Sequence, residues 1–243
     1  MTSTISTKGR LCNQIVRNLA VSFIAEKHNL HVKYGSMDLI SDLGIPLYCG
    51  EKMYNESVIL DDNNYFPILQ SNIFLYNLNP NVHYFQTKEI SQLINRFLHR
   101  EDIKKNIMGK NPFQSRYNNN NDLYIHIRLD DTAQWNPGIR YYLKAIANVN
   151  FDKIYISSDE VNHKIIKQII HEYPNSTIIK FNEIMTIQFA STCKNIILSH
   201  GSFSATIGQL GFFSNIYYPK IEENKSWCGD MCSIDGWNKI EDF

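Results

Sequence analysis

The stretch Asp122–Glu160, DLYIHIRLDDTAQWNPGIRYYLKAIANVNFDKIYISSDE, decides the reading of the chain. It opens on DLYIHI (Asp122–Ile127), a short run of β-branched and aromatic residues that predicts a strand. From Pro137 to Val149, Tyr141, Leu143, Ile146 and Ala147 recur at helical spacing. KIYIS (Lys153–Ser157) predicts the next strand. These strands are apolar on both faces, which a parallel sheet covered by helices requires.

The alternation continues to the C-terminus. Ile165, Ile166, Ile169 and Ile170 form one helix face within Asn162–Tyr173, which Pro174 ends. Strands are expected at Ser176–Phe181, Asn195–Ser199 and Ser214–Tyr218, with helices at Ile184–Ser191 and Ser204–Phe212. Upstream, a strand at Thr4–Thr7, a turn at Gly9, a long helix from Asn13 to His28 and a strand at His31–Tyr34 make another βαβ unit. Ile90–Phe97 predicts a helix, whereas Ser36–Asn64 carries little signal. The Asn-rich stretch Lys110–Asp122, with Pro112, reads as a linker or surface loop. The expected fold is therefore α/β, with two Rossmann-like lobes at 1–117 and 118–243. A cleft between them is the default site.

Bulk properties narrow the function. The 243 residues carry 24 Lys plus Arg and 24 Asp plus Glu. A chain with no basic excess is a poor candidate for non-specific nucleic-acid binding. Composition is globular, at 43% hydrophobic and 20% charged. No apolar run approaches the roughly 20 residues that span a bilayer, and MTSTISTKGRLCNQ has no secretory h-region. Cys12, Cys49, Cys193, Cys228 and Cys232 are odd in number and scattered, so reduced thiols in the cytoplasm are expected. Cys228 and Cys232 are the one close pair. No second pair and no nearby His support zinc there.

Four segments combine strand ends or turns with polar groups. In ISTKGRLCNQIVRNLA, Gly9 lets the backbone approach a ligand, and Arg10, Asn13 and Gln14 sit at the helix start, where free N–H groups suit an anion. Asn13 serving only as a helix cap is the plainer alternative. The segment has neither a G-x-G-x-x-G spacing nor a Walker Lys. In YIHIRLDDTAQW, His126 and Arg128 alternate on one strand face, and Asp130 and Asp131 follow. An Arg at a strand's carboxyl end suits a phosphate, and a carboxylate beside it orients it or acts as base. A core His with a structural Arg–Asp pair is the alternative. In IYISSDE, Asp159 caps the next helix or binds a base or ribose. In NIILSHGSFSATIGQLGFFS, Ser202, Phe203 and Ser204 open a helix and offer hydroxyls and N–H groups to an anion. No G-x-S-x-G elbow is present for serine hydrolysis.

Together and in this order, these segments resemble the inverting fucosyltransferases of glycosyltransferase family 11, the alpha-1,2 type. GRLCNQIVRNLAVSFIAEKHNL is similar to the family's glycine-rich opening and first helix, and HYFQTKEI (His83–Ile90) to its mid-chain stretch. HIRLDD resembles its H-x-R-x-x-D motif at His126, Arg128 and Asp131. YYLKAI, IYISSDE and Ile196–Gly211 also match. The chain departs from the family at Cys12, Asp130, His200, Gly201, Ala205 and Thr206.

The resemblance implies two Rossmann-like lobes of the GT-B type, GDP-fucose as donor, a glycan acceptor and no metal or cofactor. The sequence independently has no D-x-D, and adjacent pairs such as Asp130–Asp131 project oppositely on a strand. In the implied reaction Arg128 stabilises the departing diphosphate, with Ser202, Phe203 and Ser204 and with His126 beside it. Arg10 and Asn13 approach the donor from the first lobe, Asp159 contacts base or ribose, and Asp131 is the first candidate for general base. Another deoxysugar nucleotide, such as a rhamnosyl donor, and a silent carbohydrate- or nucleotide-binding module are the competing readings.

Overall fold

Thr2 and Thr4 are buried while Ile5 is 56% exposed, and this places the first strand, β1, at Thr2–Ser3. That is two residues ahead of the expected Thr4–Thr7, of which Thr7 lies outside the described residues. The computed structural model describes residues 1–6, 9–81, 83–220 and 229–243. They divide into two units, Met1–Ile107 and Met108–Phe243.

In the first unit, α1 (Leu11–His28) connects β1 to β2 (Val32–Lys33), and the two strands pair in parallel. The helix is buried on almost every side, so its polar residues must find partners inside. Asn18 Nδ2 donates to Gly35 O at 2.7 Å, and Ser22 Oγ accepts from Tyr48 N at 2.8 Å. Asn29, in the left-handed region at φ 55°, ends the helix.

The weakly patterned region holds α2 (Met37–Asp42) and β3 (Ser57–Ile59), followed by α3 (Tyr65–Gln70) and β4 (Asn77–Asn79). β3 and β4 form a second parallel pair, tied to β1 where Thr2 Oγ1 accepts from Leu78 N at 2.8 Å. α4 (Lys88–Leu98) is capped by Thr87 and packs on α1 through Phe97 against Phe23. α5 (Glu101–Lys110) follows. Among the described residues, this unit's strands make two pairs and no larger sheet.

The second unit holds β5 (Leu123–Ile127), α6 (Ile139–Ala147), β6 (Ile154–Ser158), α7 (Lys164–Glu172), β7 (Thr177–Ile178), α8 (Glu183–Ala190), β8 (Asn195–Ile197), α9 (Ser202–Leu210), β9 (Asn215–Pro219) and β10 (Asn238–Ile240). All six strands run parallel, in the order β10-β9-β8-β5-β6-β7. Renumbered within the unit this is 3-2-1-4-5-6, the order of doubly wound nucleotide-binding sheets. β7 is shorter than expected because it is an edge strand with Thr177 in solvent.

Side-chain parity sorts the two faces of the sheet. Leu123, Ile125 and Ile127 join Tyr141, Tyr142, Ile146, Ile165, Ile166 and Ile169 in one core under α6 and α7. Each such aliphatic side chain contributes roughly 1.5–3 kcal/mol by leaving water. Tyr124 and His126 point the other way, to Ser157 and to α9. α8 and α9 pack together.

The Asn-rich stretch before β5 is fixed in place, contrary to the linker reading. Asn111 Nδ2 donates to Gln188 O at 2.8 Å, and Asn120 Nδ2 to Thr192 O at 2.9 Å. Arg116 pairs with Asp122 at 2.7 Å and lies 4.5 Å from the Phe189 ring centroid. The asparagines satisfy carbonyls at the end of α8, a use that composition alone does not reveal. Cys12, Cys193 and Cys232 are buried thiols and Cys49 an exposed one; Cys228 lies outside the described residues. Among the described residues, no helix is long and apolar enough to cross a membrane.

Candidate functional site

In a doubly wound sheet the chain turns from one side to the other at its first strand, leaving a crevice at the carboxyl ends of the strands flanking that point. Here those strands are β5 and β8. Seven of the nine residues selected from sequence, all but Arg10 and Asn13, belong to this unit and lie on or just after β5, β6 and β8.

His126, in β5, is buried. Its Nδ1 lies 2.6 Å from Ser204 Oγ, which also accepts the Ser199 N–H at 3.0 Å. One serine hydroxyl therefore meets both the imidazole and the backbone N–H. The Phe203 ring packs on His126 with centroids 5.0 Å apart. Burial, then His200 and Arg128, pushes the His126 pKa down to about 3. His200 is pushed down to about 4 by burial and Arg128, with Asp131 opposing. Both rings are neutral at pH 7, so neither supplies a cation. Arg128 contributes to both depressions.

Arg128 ends β5 with a side chain only 14% exposed, paired to Asp159 (17% exposed) and Asp131 (60% exposed). Asp159 also accepts from Leu129 N at 2.8 Å, so it fixes both backbone and side chain at the strand's end. It does not cap α7: His163 does, accepting from Ile165 N. Asp131 lies in a short 3-10 stretch, Asp130–Trp135, and the strand argument that sets adjacent aspartates apart does not apply. Asp130, Asp131 and Asp159 place oxygens within 4.8 Å of one another. Of the three, Asp131 and Asp159 pair with Arg128. A cation there would compete with Arg128 for two of the three.

α9 begins directly after Gly201, whose φ of 92° favours glycine. Ser202 is its first residue, and no side chain caps its N-terminus. Nine residues make a helix long enough to present N–H groups and a positive dipole end to an anion.

Sequence reasoning assigned no role to the network that holds these parts. Asn136 Nδ2 donates to Arg128 O at 2.8 Å and to Tyr142 OH at 3.0 Å, and Tyr142 donates to Ser199 Oγ at 3.1 Å. The segment after β5 is thus pinned to the segment after β8. The Asn136-Pro137-Gly138 turn was the available signal.

In the first unit, Arg10 is the extended N-cap residue of α1, and Asn13 lies inside the helix. Asn13 is therefore not the cap; its Oδ1 accepts from Gln86 Nε2 at 2.9 Å. Gly9 has φ 85°, and a Cβ there would stand 2.8 Å from Tyr84 Cε1 and 2.9 Å from Asn13 Cβ. The residue missed here is Arg17, which is wholly buried.

The chain matches no known family model, and no curated protein matches it in sequence.

Proposed function

We propose that the protein is an inverting glycosyltransferase that takes a nucleoside-diphosphate sugar, GDP-fucose in the first instance, and transfers the sugar to a hydroxyl of a glycan acceptor. One observation carries this reading: Arg128 follows β5 and the α9 N-terminus follows β8, the two neighbouring strands at which a 3-2-1-4-5-6 sheet reverses. A guanidinium and the positive end of a helix together suit a diphosphate. The ordered resemblance to family 11 fucosyltransferases supplies the donor and the two-lobed GT-B arrangement.

In the proposed reaction the acceptor oxygen attacks the anomeric carbon, and that carbon's bond to the diphosphate oxygen breaks. The bonding pair leaves on the diphosphate, where Arg128 and the α9 N-terminus stabilise it. The acceptor's proton goes to a carboxylate. Arg128 already holds two carboxylates, and an arriving diphosphate competes with them for its donors. Asp131 is the exposed partner and yields first, and its release frees a base beside the reacting centre. Asp159 stays, because it also holds Leu129 N.

Arg128 is already held by both Asp131 and Asp159, and this favours a second reading, a nucleotide- or carbohydrate-binding module without turnover. Thermal shifts with GDP, UDP and their sugars test the donor. Stabilisation by UDP with none by GDP removes the fucosyl reading. Donor hydrolysis without acceptor separates an enzyme from a silent binder.

A further inference from the structure

Arg17 sits in the second turn of α1, 0% exposed. Its Nε donates to His83 O at 2.9 Å, and its guanidinium carbon lies 4.8 Å from the centroid of the Tyr84 ring. Nη1 and Nη2 are buried with no hydrogen-bond partner. Among the described residues, no carboxylate pairs with it. A guanidinium remains charged inside proteins, and buried charges are ordinarily paired. An aromatic face returns only about 2 kcal/mol, far below the cost of leaving both nitrogens dry.

The surroundings show what the missing partner is. Helical side chains lean toward the N-terminus, and the Tyr84 ring bridges the guanidinium and Gly9, where its Cε1 comes within 2.8 Å of a Cβ position. The α1 N-terminus has no side-chain cap and no acidic residue in its first turn. The ring therefore fills a space with a cation on one side and the positive end of an 18-residue helix near the other. Tyr84 is half-buried and lies in a segment without regular structure, next to Phe85 at φ 57°. A bulky residue in the left-handed region marks local strain.

We propose that Arg17 is an anion-binding group, and that a phosphoryl oxyanion takes the place of the Tyr84 ring over its two Nη atoms. Two parallel N–H donors match two phosphoryl oxygens. Tyr84 is then a plug that closes the site when it is empty. The inference goes beyond the glycosyl-transfer reading, since it requires only phosphoryl binding in the first unit.

The test is calorimetric titration of the full chain with inorganic phosphate, pyrophosphate and GDP. An Arg128→Ala background keeps the second unit's site from contributing. Saturable binding is expected, at least tenfold weaker with Arg17→Met and severalfold tighter with Tyr84→Ala, which removes the plug. Free phosphate binding as well as GDP identifies a general phosphoryl site; GDP alone identifies a nucleotide-borne one. No saturable binding by any of the three, or affinity unchanged by Arg17→Met, overturns the proposal. If Arg17→Met does not fold, Tyr84→Ala decides: unchanged or weaker affinity overturns it. Absence of glycosyl transfer by the wild-type chain, with phosphoryl binding intact, would refute only the functional reading above.

Discussion

Ser204 Oγ stands 2.6 Å from His126 Nδ1 and 3.0 Å from Ser199 N, so one hydroxyl joins the middle of β5 to the end of β8. Ser204→Ala strands a buried imidazole nitrogen and a buried N–H together. The expected loss is about 2–4 kcal/mol, read as a lower urea midpoint with an unchanged m-value. A loss under about 0.5 kcal/mol would show that the hydroxyl does not make this connection.

Acid should unfold the second unit through its histidines. Folded, His126 is held near 3 and His200 near 4; unfolded, both return to about 6.5. Above pH 6.5 neither state binds a proton at these rings, and their contribution to stability is complete. Below it, the unfolded chain takes up protons that the folded chain refuses, so stability falls as pH falls. His126 alone accounts for about 3 kcal/mol by pH 4. Urea midpoints from pH 7 to 4 should fall less steeply in His126→Gln. An unchanged slope contradicts the assignment.

The two aspartates on Arg128 should behave differently. Asp131→Asn removes the exposed competitor and should tighten GDP binding about three- to fivefold, the scale of a surface ion pair. Asp159→Asn removes the negative charge that holds Arg128 in place, while its amide oxygen still accepts from Leu129 N, and should weaken GDP binding while lowering stability by about 1–3 kcal/mol. Calorimetry with GDP checks both. Tighter binding with Asp159→Asn would mean that Asp159, not Asp131, is the group displaced.

Gly208 lies under the Trp237 ring, and a methyl group there collides with it. Gly208→Ala should cost about 1–3 kcal/mol by overpacking, and Trp237→Leu in the same chain should recover part of the loss. A double-mutant cycle in urea measures this; additive effects would mean that the two residues do not meet.

The second unit was legible in sequence because its strands are buried on both faces and α6 and α7 carry one apolar stripe each. Ile125 and Ile127 against Ile146 and Ile166 are written into local periodicity. β10 was not foreseen: Asn238 and Lys239 are exposed, and Ile240 alone is buried, so its pairing with β9 comes from tertiary context. In the first unit, α2 and β3 are too short to carry a period. At the site, Arg128 and His126 were visible as types at a strand end. Asp131 was visible as the carboxylate beside Arg128, but the pairings of Arg128 with Asp159 and of His126 with Ser204 were not, because those residues lie 31 and 78 positions away. Arg17 escaped notice because a charged residue in a long helix ordinarily reads as surface.

The central claim is that Arg128 stabilises a sugar nucleotide's departing diphosphate. The most direct measurement is GDP released from GDP-fucose, with no acceptor, by the wild-type chain and by Arg128→Ala of matched circular dichroism. Release above the buffer rate is expected from the wild type, with a loss of at least about a hundredfold in the variant. No release by the wild type, or release by the variant at the wild-type rate, would contradict it.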